Sequence, residues 1–223
     1  EHNFVGVKCG IMDQYASMFG KKDSALHLDC RSLTAQYYAI NLGNYELVLI
    51  NSNVKHSLAD SAYNDRRAVC ERAASLLNVK ALRDATVSDI DAISSQLTNE
   101  DCNKTTYIVQ ENERTLKAVV SLSTNDIKTL GQLLFDSHKG LSEKYKVSCP
   151  ELDFLVNEAK ASDAVIGARM MGGGFGGCTI NIIESAKKEV FLEEIQQSYI
   201  NEFNNTCSIY EVTISEGTRV ISQ

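Results

Sequence analysis

The chain has 223 residues, 43% of them hydrophobic and 23% charged, and a formal net charge of −7. That length suits one large domain or two smaller ones, and the composition is that of an ordinary globular protein. The negative balance argues against a nucleic-acid groove or a polybasic membrane surface. No apolar run nears the roughly 18 residues of a membrane-spanning helix.

Seven cysteines are scattered from Cys9 to Cys207 without a Cys-x-x-Cys pair. They predict reduced thiols in a cytoplasmic protein rather than a disulfide framework or a zinc site. The four histidines make no metal-ligand pair at helical spacing.

Cys9-Gly10-Ile11-Met12-Asp13-Gln14 reads as a turn into a helix from Met12 to Phe19. Asp13 falls in or just before its first turn, where the positive end of the macrodipole stabilises a carboxylate. Spacing alone favours an N-capping Asp over a catalytic one. Strands are expected at Ala25–Cys30, Ala35–Leu42 and Tyr45–Ile50, with Leu42-Gly43-Asn44 as a turn. The last strand leaves through a polar stretch, Asn51-Ser52-Asn53-Val54-Lys55-His56-Ser57. Such an exit meets a ligand about as often as it forms a plain loop. Ser57-Leu58-Ala59-Asp60 resembles a capping box, and residues 60–77 then follow the helical template.

Ser88-Asp89-Ile90-Asp91 is expected to open a short helix, and residues 104–122 and 125–138 two longer ones. The single proline, Pro150, sits in the first turn of another helix. There Leu152, Leu155, Val156 and Ala159 share one face. The next strand, from Val165 to Met170, runs into Gly172-Gly173-Gly174-Phe175-Gly176-Gly177, and a second apolar strand ends at Ile183. Glycines packed this densely allow close approach of the backbone, and consecutive N–H groups there can form an anion-binding nest. The residues also fit a hairpin turn with no ligand. No Gly-Lys-Ser/Thr follows, which excludes a Walker A loop. A strand rather than a helix follows, which does not fit the dinucleotide fingerprint. A helix over residues 185–203 is expected to bury Val190, Phe191, Ile195, Tyr199 and Phe203. Cys207–Ile214 should form a strand, with Thr218–Ile221 pairing beside a neighbour. The pattern is α+β, with helices on one face of an antiparallel sheet.

Glu1-His2 through Gln14, Asn51 through Leu58 with Tyr63, Ser148-Cys149-Pro150-Glu151-Leu152-Asp153, and Gly167 through Cys178 together resemble the galactokinases of the GHMP small-molecule kinase superfamily. The resemblance runs in order along essentially all 223 residues. It implies a GHMP-kinase-like fold, with 1–55 as the remainder of an N-terminal domain and 56–223 as a C-terminal domain. It implies ATP and Mg²⁺ as cofactors and galactose as substrate, phosphorylated at O1. Asp13 would accept the proton of the sugar hydroxyl. Gly10 and Tyr63 would bind the sugar, the phenol serving as both donor and acceptor. Glu1 would ligate Mg²⁺. Lys55, Ser57, Gly172, Gly173 and Gly174 would lie at the nucleotide. Two family motifs have no counterpart in this sequence: an N-terminal sugar-binding run and the serine-rich loop that cradles ATP. The resemblance therefore implies the C-terminal part of such a kinase, inactive without its other half. Met171 stands where the family has Thr and cannot donate a hydrogen bond. N-acetylgalactosamine kinases and non-catalytic, galactose-sensing relatives share these motifs. The Ile in Cys-Gly-Ile-Met-Asp-Gln leans toward galactokinases.

Overall fold

The computed structural model describes residues 10–55 and 59–220, with residues 59–63 as helix backbone only. Helix α1 (Met12–Phe19) leads into β1 (Ser24–Asp29), β2 (Thr34–Ala39) and β3 (Tyr45–Asn51). A helical layer follows: α2 (Ala59–Leu76), α3 (Val87–Ala92), α4 (Asn99–Ser123), α5 (Ile127–Gly140) and α6 (Pro150–Ala161). A five-residue π-turn, Leu141–Tyr145, lies between the last two. The chain closes with β4 (Val165–Met170), β5 (Cys178–Glu184), α7 (Lys188–Phe203) and β6 (Ser208–Val212). No described helix is long and apolar enough to cross a membrane.

β1 and β2 form a two-stranded antiparallel hairpin, and the other four strands lie in the order β4-β5-β3-β6. β3 is therefore an interior strand. It pairs with β5 from Tyr45↔Glu184 to Asn51↔Cys178, and with β6 from Leu47↔Val212 to Asn51↔Ser208. Every pairing in this sheet is antiparallel, but only β4 and β5 are joined by a short turn; β3 reaches its neighbours from a distant part of the chain. The four-stranded sheet draws on residues from both sides of position 55.

The period of two along β3 buries Val48 and Ile50 completely and leaves Leu47 and Leu49 half-buried. The buried face meets α5, α6 and α7 in a core that includes Phe135, Leu155, Ile183, Ile195 and Tyr199. Ala73, Leu82, Ile90 and Val109 form a second cluster among α2, α3 and α4. A third, with Tyr107, Leu141, Val147, Leu152 and Met170, joins the π-turn to the end of β4. α5 crosses β4 with backbone on backbone. A Cβ on Gly131 would stand 2.2 Å from the Ile166 carbonyl oxygen, and one on Gly167 would stand 2.3 Å from the Gly131 Cα. Glycine at both positions lets the helix lie directly on the strand.

Several boundaries differ from the sequence-based expectation, each for a local reason. α3 is capped by Thr86, not Ser88: the Thr86 side chain accepts from Asp89 N, and the Asp89 carboxylate accepts from Thr86 N at 2.8 Å. α4 starts at Asn99 because Thr98 accepts from Asp101 N at 3.1 Å. Val190 is 61% exposed, and Leu192 takes its place on the buried side of α7. Residues 213–220 form no strand. Gly217 N–H donates to Gly20 O at 2.9 Å and Thr218 N–H to Ser17 O at 2.7 Å, which straps the segment along α1.

The β1–β2 hairpin is docked to the helical layer by two reciprocal ion pairs. Arg31 donates to Asp84 at 3.0 and 2.6 Å, and Arg83 donates to Asp29 at 2.6 and 3.1 Å. Each is a two-pronged guanidinium–carboxylate contact, the strong form of the interaction. The bonds from Arg83 to Asp29 and from Arg31 to Asp84 hold both carboxyls below their ordinary value of 3.8. A carboxyl depressed in the folded state contributes stability that is complete above its ordinary value and is lost as pH falls toward the folded one. Backbone amides of residues 24–39 should therefore exchange faster as pH drops below about 4, after correction for intrinsic exchange. Arg83→Ala should blunt that acid response, and an unchanged response in the variant would contradict the assignment.

Candidate functional site

The glycine-rich stretch joins β4 to β5 as the turn of an antiparallel hairpin. Its glycines fall into two kinds. Gly174 and Gly176 are buried, with φ of +84° and +137°. A Cβ on Gly174 would lie 2.0 Å from Val147 O, and one on Gly176 would lie 2.6 Å from Val54 O. Both are glycine because the loop is pressed against other backbone. Gly172 and Gly173 are exposed and would meet nothing within 4 Å. At Gly173 neither a left-handed backbone nor a neighbour requires glycine. The bare backbone there is left open to whatever approaches.

The polar exit of β3 is the other wall. Ser52 is fully buried. Its N–H and its hydroxyl both donate to Gly177 O at 2.9 Å, and the Tyr199 hydroxyl donates to its carbonyl at 2.7 Å. Burial pushes the Tyr199 phenol up, so it stays a neutral donor. Asn53, at φ +58°, donates through Nδ2 to Thr206 O at 2.9 Å, and its N–H bonds Asn51 Oδ1 at 2.9 Å. Asn51 and Asn53 are thus consumed in shaping the exit. Val54 O rests against Gly176 and Lys55 follows it, exposed. Lys55, Met171 and Gly172–Gly173 are exposed residues of a rim whose buried parts are locked together.

The remaining candidates stand apart from this rim or outside the description. Asp13 is exposed in the first turn of α1. It is not the N-cap, a position held by Ile11 without a side-chain cap, so the capping explanation of this carboxylate fails. α1 is tied to residues 217–218, and no hydrogen bond among described residues joins it to the glycine hairpin. Gly10 is exposed, with nothing within 4 Å of a Cβ. Tyr63 lies in the second turn of α2, with its side chain outside the described residues. Glu1 and Ser57 are outside the described residues altogether. Among the described residues, no group of three or more His, Cys, Asp or Glu could hold a metal ion. A cleft of about 550 Å³ between residues 40–47 and 211–214 is lined by none of the candidates.

Ser52, Tyr199, His138 and Ser142 escaped the sequence reading. Ser52 looked like one polar residue among several, and Tyr199 like one more apolar helix position. His138, only 5% exposed, accepts from Met170 N–H through Nδ1 at 3.2 Å, at the hairpin's entry. Its Nε2 lies 3.2 Å from Asp153 Oδ1, and the Ser142 hydroxyl donates to Asp153 Oδ2 at 2.8 Å. Burial alone would raise the Asp153 carboxyl, but His138 and Ser142 outweigh it and the carboxyl sits below its ordinary value. The only signal for these partners was their place in Ser148–Asp153 and near the end of a predicted helix.

Residues 116–201 match the family model described as GHMP kinases C terminal. The chain is 42% identical over 221 residues to a galactokinase of Thermotoga petrophila and 41% identical over 227 residues to one of Clostridium acetobutylicum. Those matches cover 99% and 100% of this chain but 62% and 58% of the relatives, so the chain spans about three-fifths of their length. A crystal structure of Lactococcus lactis galactokinase complexed with galactose superposes with a TM-score of 0.91 at 31% identity, covering 97% of this chain and 57% of that one. Residues 116–201 thus carry the C-terminal domain of the GHMP kinases. Within that family its likeness is to galactokinases, over its whole length.

The two kinds of glycine make a direct test possible. Gly174→Ala should lower stability by about 1–3 kcal/mol or more, since the new methyl must displace backbone. Gly173→Ala should stay within about 0.5 kcal/mol of the parent, as an unconstrained surface change does. Denaturant unfolding of both variants checks this, and equal losses would contradict the division.

Proposed function

We propose that the protein to which these residues belong transfers the γ-phosphoryl group of ATP to O1 of galactose. The observation that carries the proposal is the locked rim: the β3 exit packed on Gly176, with the Gly172–Gly173 backbone exposed and uncrowded. Likeness to galactokinases along the whole chain supports the choice of substrates.

In this reading Asp13 accepts the proton of the sugar O1 hydroxyl as the new O1–P bond forms and the bond from Pγ to the β,γ-bridging oxygen breaks, with ADP as the leaving product. The carboxylate suits that role on two counts: it is exposed to an incoming sugar and has no cap to make. It lies in the first turn of α1. Gly10 would offer backbone to the sugar one turn earlier, and Tyr63 would orient its hydroxyls. Gly172 and Gly173 would support the nucleotide's phosphates with main-chain N–H groups, and Lys55 and Ser57 would lie beside it.

Mg²⁺, when bound, neutralises charge on the phosphates. Glu1 would hold it together with phosphate oxygens, since Mg²⁺ takes one or two carboxylates and draws its other ligands from phosphate and water. Phosphoryl transfer depends on positioning and charge stabilisation. The groups that grip ATP in the resembled family have no counterpart in this sequence, so residues 1–223 alone should not consume ATP with galactose.

Asp13→Asn in the full-length protein should cut turnover by about 10²–10⁴-fold, the usual worth of a general base. Galactose binding should survive, because the amide still hydrogen-bonds. A coupled ADP-release assay and calorimetric galactose titration check the two halves. Turnover within tenfold of the parent would reject Asp13 as the base.

A further inference from the structure

The hairpin is supported from beneath by the chain between α5 and α6. At its entry, Met170 N–H donates to His138 Nδ1 at 3.2 Å. At its tip, Phe175 N–H donates to Val147 O at 2.8 Å, with Gly174 packed on the same oxygen. Val147 O can face the hairpin because the chain reverses at Lys146, a non-glycine residue at φ +58°, where the π-turn ends. Val147 N–H closes that reversal on Leu141 O at 3.1 Å. A left-handed residue that is not glycine needs its surroundings to hold it.

What holds it comes from α2. Arg66 donates through Nε to Tyr145 O at 2.8 Å and through NH2 to Lys146 O at 3.0 Å. Its NH1 donates to Asp65 Oδ2 at 2.6 Å. The Arg66 side chain is 12% exposed. The two carbonyls belong to the end of a helical segment, where the last acceptors have no partner of their own. A planar guanidinium fork matches two successive carbonyls, whereas an ammonium offers a single point of charge. Cys70, one turn further along α2, bonds the Tyr145 side chain, and burial pushes its thiol up to about 11. α2 is held in turn by Lys104 of α4, which is 5% exposed and bridges Asp65 at 3.3 Å and Glu100 at 2.8 Å.

We propose that Arg66 is a positioning residue that sets the register between helix α2 and the glycine hairpin, acting through the carbonyls of Tyr145 and Lys146 and the 146–147 reversal. Tyr63 stands one helical turn before Arg66 on the same helix. In naming the ligands this inference rests on the function proposed above: one guanidinium sets the helix that meets the sugar and the loop that meets the phosphates. The clamp itself rests on the hydrogen bonds alone.

The test uses the full-length protein with Arg66→Lys, and Arg67→Ala as a control on the exposed Arg67–Glu71 pair. Hydrogen exchange without ligands comes first. In Arg66→Lys the Phe175 and Met170 amides should exchange about tenfold faster, the worth of one charge-assisted hydrogen bond, while β3–β5 ladder amides keep parental rates. Arg67→Ala should leave all of them unchanged. Steady-state kinetics should then show KM rising for both galactose and ATP in Arg66→Lys. Parental exchange at Phe175, or a rise spread evenly over the ladder, would overturn the proposal, as would a shift in one KM alone. Parental protein that binds neither galactose nor an ATP analogue would refute the proposed function instead, and the exchange result would still decide the clamp.

Discussion

Where the glycine hairpin turns, two of its α-carbons stand against carbonyl oxygens of other segments, Val147 on one side and Val54 on the other. No side chain fits between them. Backbone pressed on backbone has few rotamers with which to relax, so the contact fixes relative position more tightly than packed side chains could. Three stretches distant in sequence are brought into register there: the β3 exit, the reversal after the π-turn and the hairpin. The Gly131–Gly167 crossing repeats the device a strand's length away, seating α5 on β4.

From that constraint the division of labour in the hairpin follows. Gly174 and Gly176 are structural, and their burial leaves Gly172 and Gly173 projecting as unshielded backbone. The hydrogen bonds around the hairpin serve the same end. Ser52 spends both of its donors on Gly177 O, Tyr199 holds Ser52, and His138 holds Met170 while Asp153 holds His138. Ser52, Tyr199 and His138 are buried, and a buried, satisfied polar network stiffens its surroundings. By contrast α1 has no buried residue and is strapped by its neighbours at Gly20 and Ser17. Asp13 thus sits on an element with no buried residue, whereas the glycine hairpin is packed on buried backbone.

Much of the fold was legible in the residues. Alternation marked β1, a buried apolar run marked β3, Pro150 marked the start of α6, and the glycines marked a hairpin between two strands, each within a residue or so of where the chain forms it. Failures occurred where a polar side chain had more than one use. Thr86 and Thr98 each carry an acidic residue three positions on and cap helices that the apolar pattern alone would start later. Thr179 and Asn181 are buried inside a strand that reads as apolar, and Asn181 donates to Val48 O at 3.2 Å and to Thr179 Oγ1 at 3.0 Å. The π-turn at 141–145 has no periodic signature. Nor could sequence spacing say which glycines were crowded, because crowding depends on Val54 and Val147, far off in the chain. The resemblance named the motifs, and the coordinates separated the members that hold the rim from those left open on it.

In the proposed function the β3 exit and the glycine hairpin form one rigid rim whose open backbone receives the nucleotide. Amide chemical shifts of the full-length protein, followed through a titration with a non-hydrolysable ATP analogue and Mg²⁺, test it most directly. Gly172, Gly173 and Lys55 should shift together on a single binding curve while the β1–β2 amides hold still. Shifts that leave those three unmoved and gather around the cleft at residues 211–214 would contradict it.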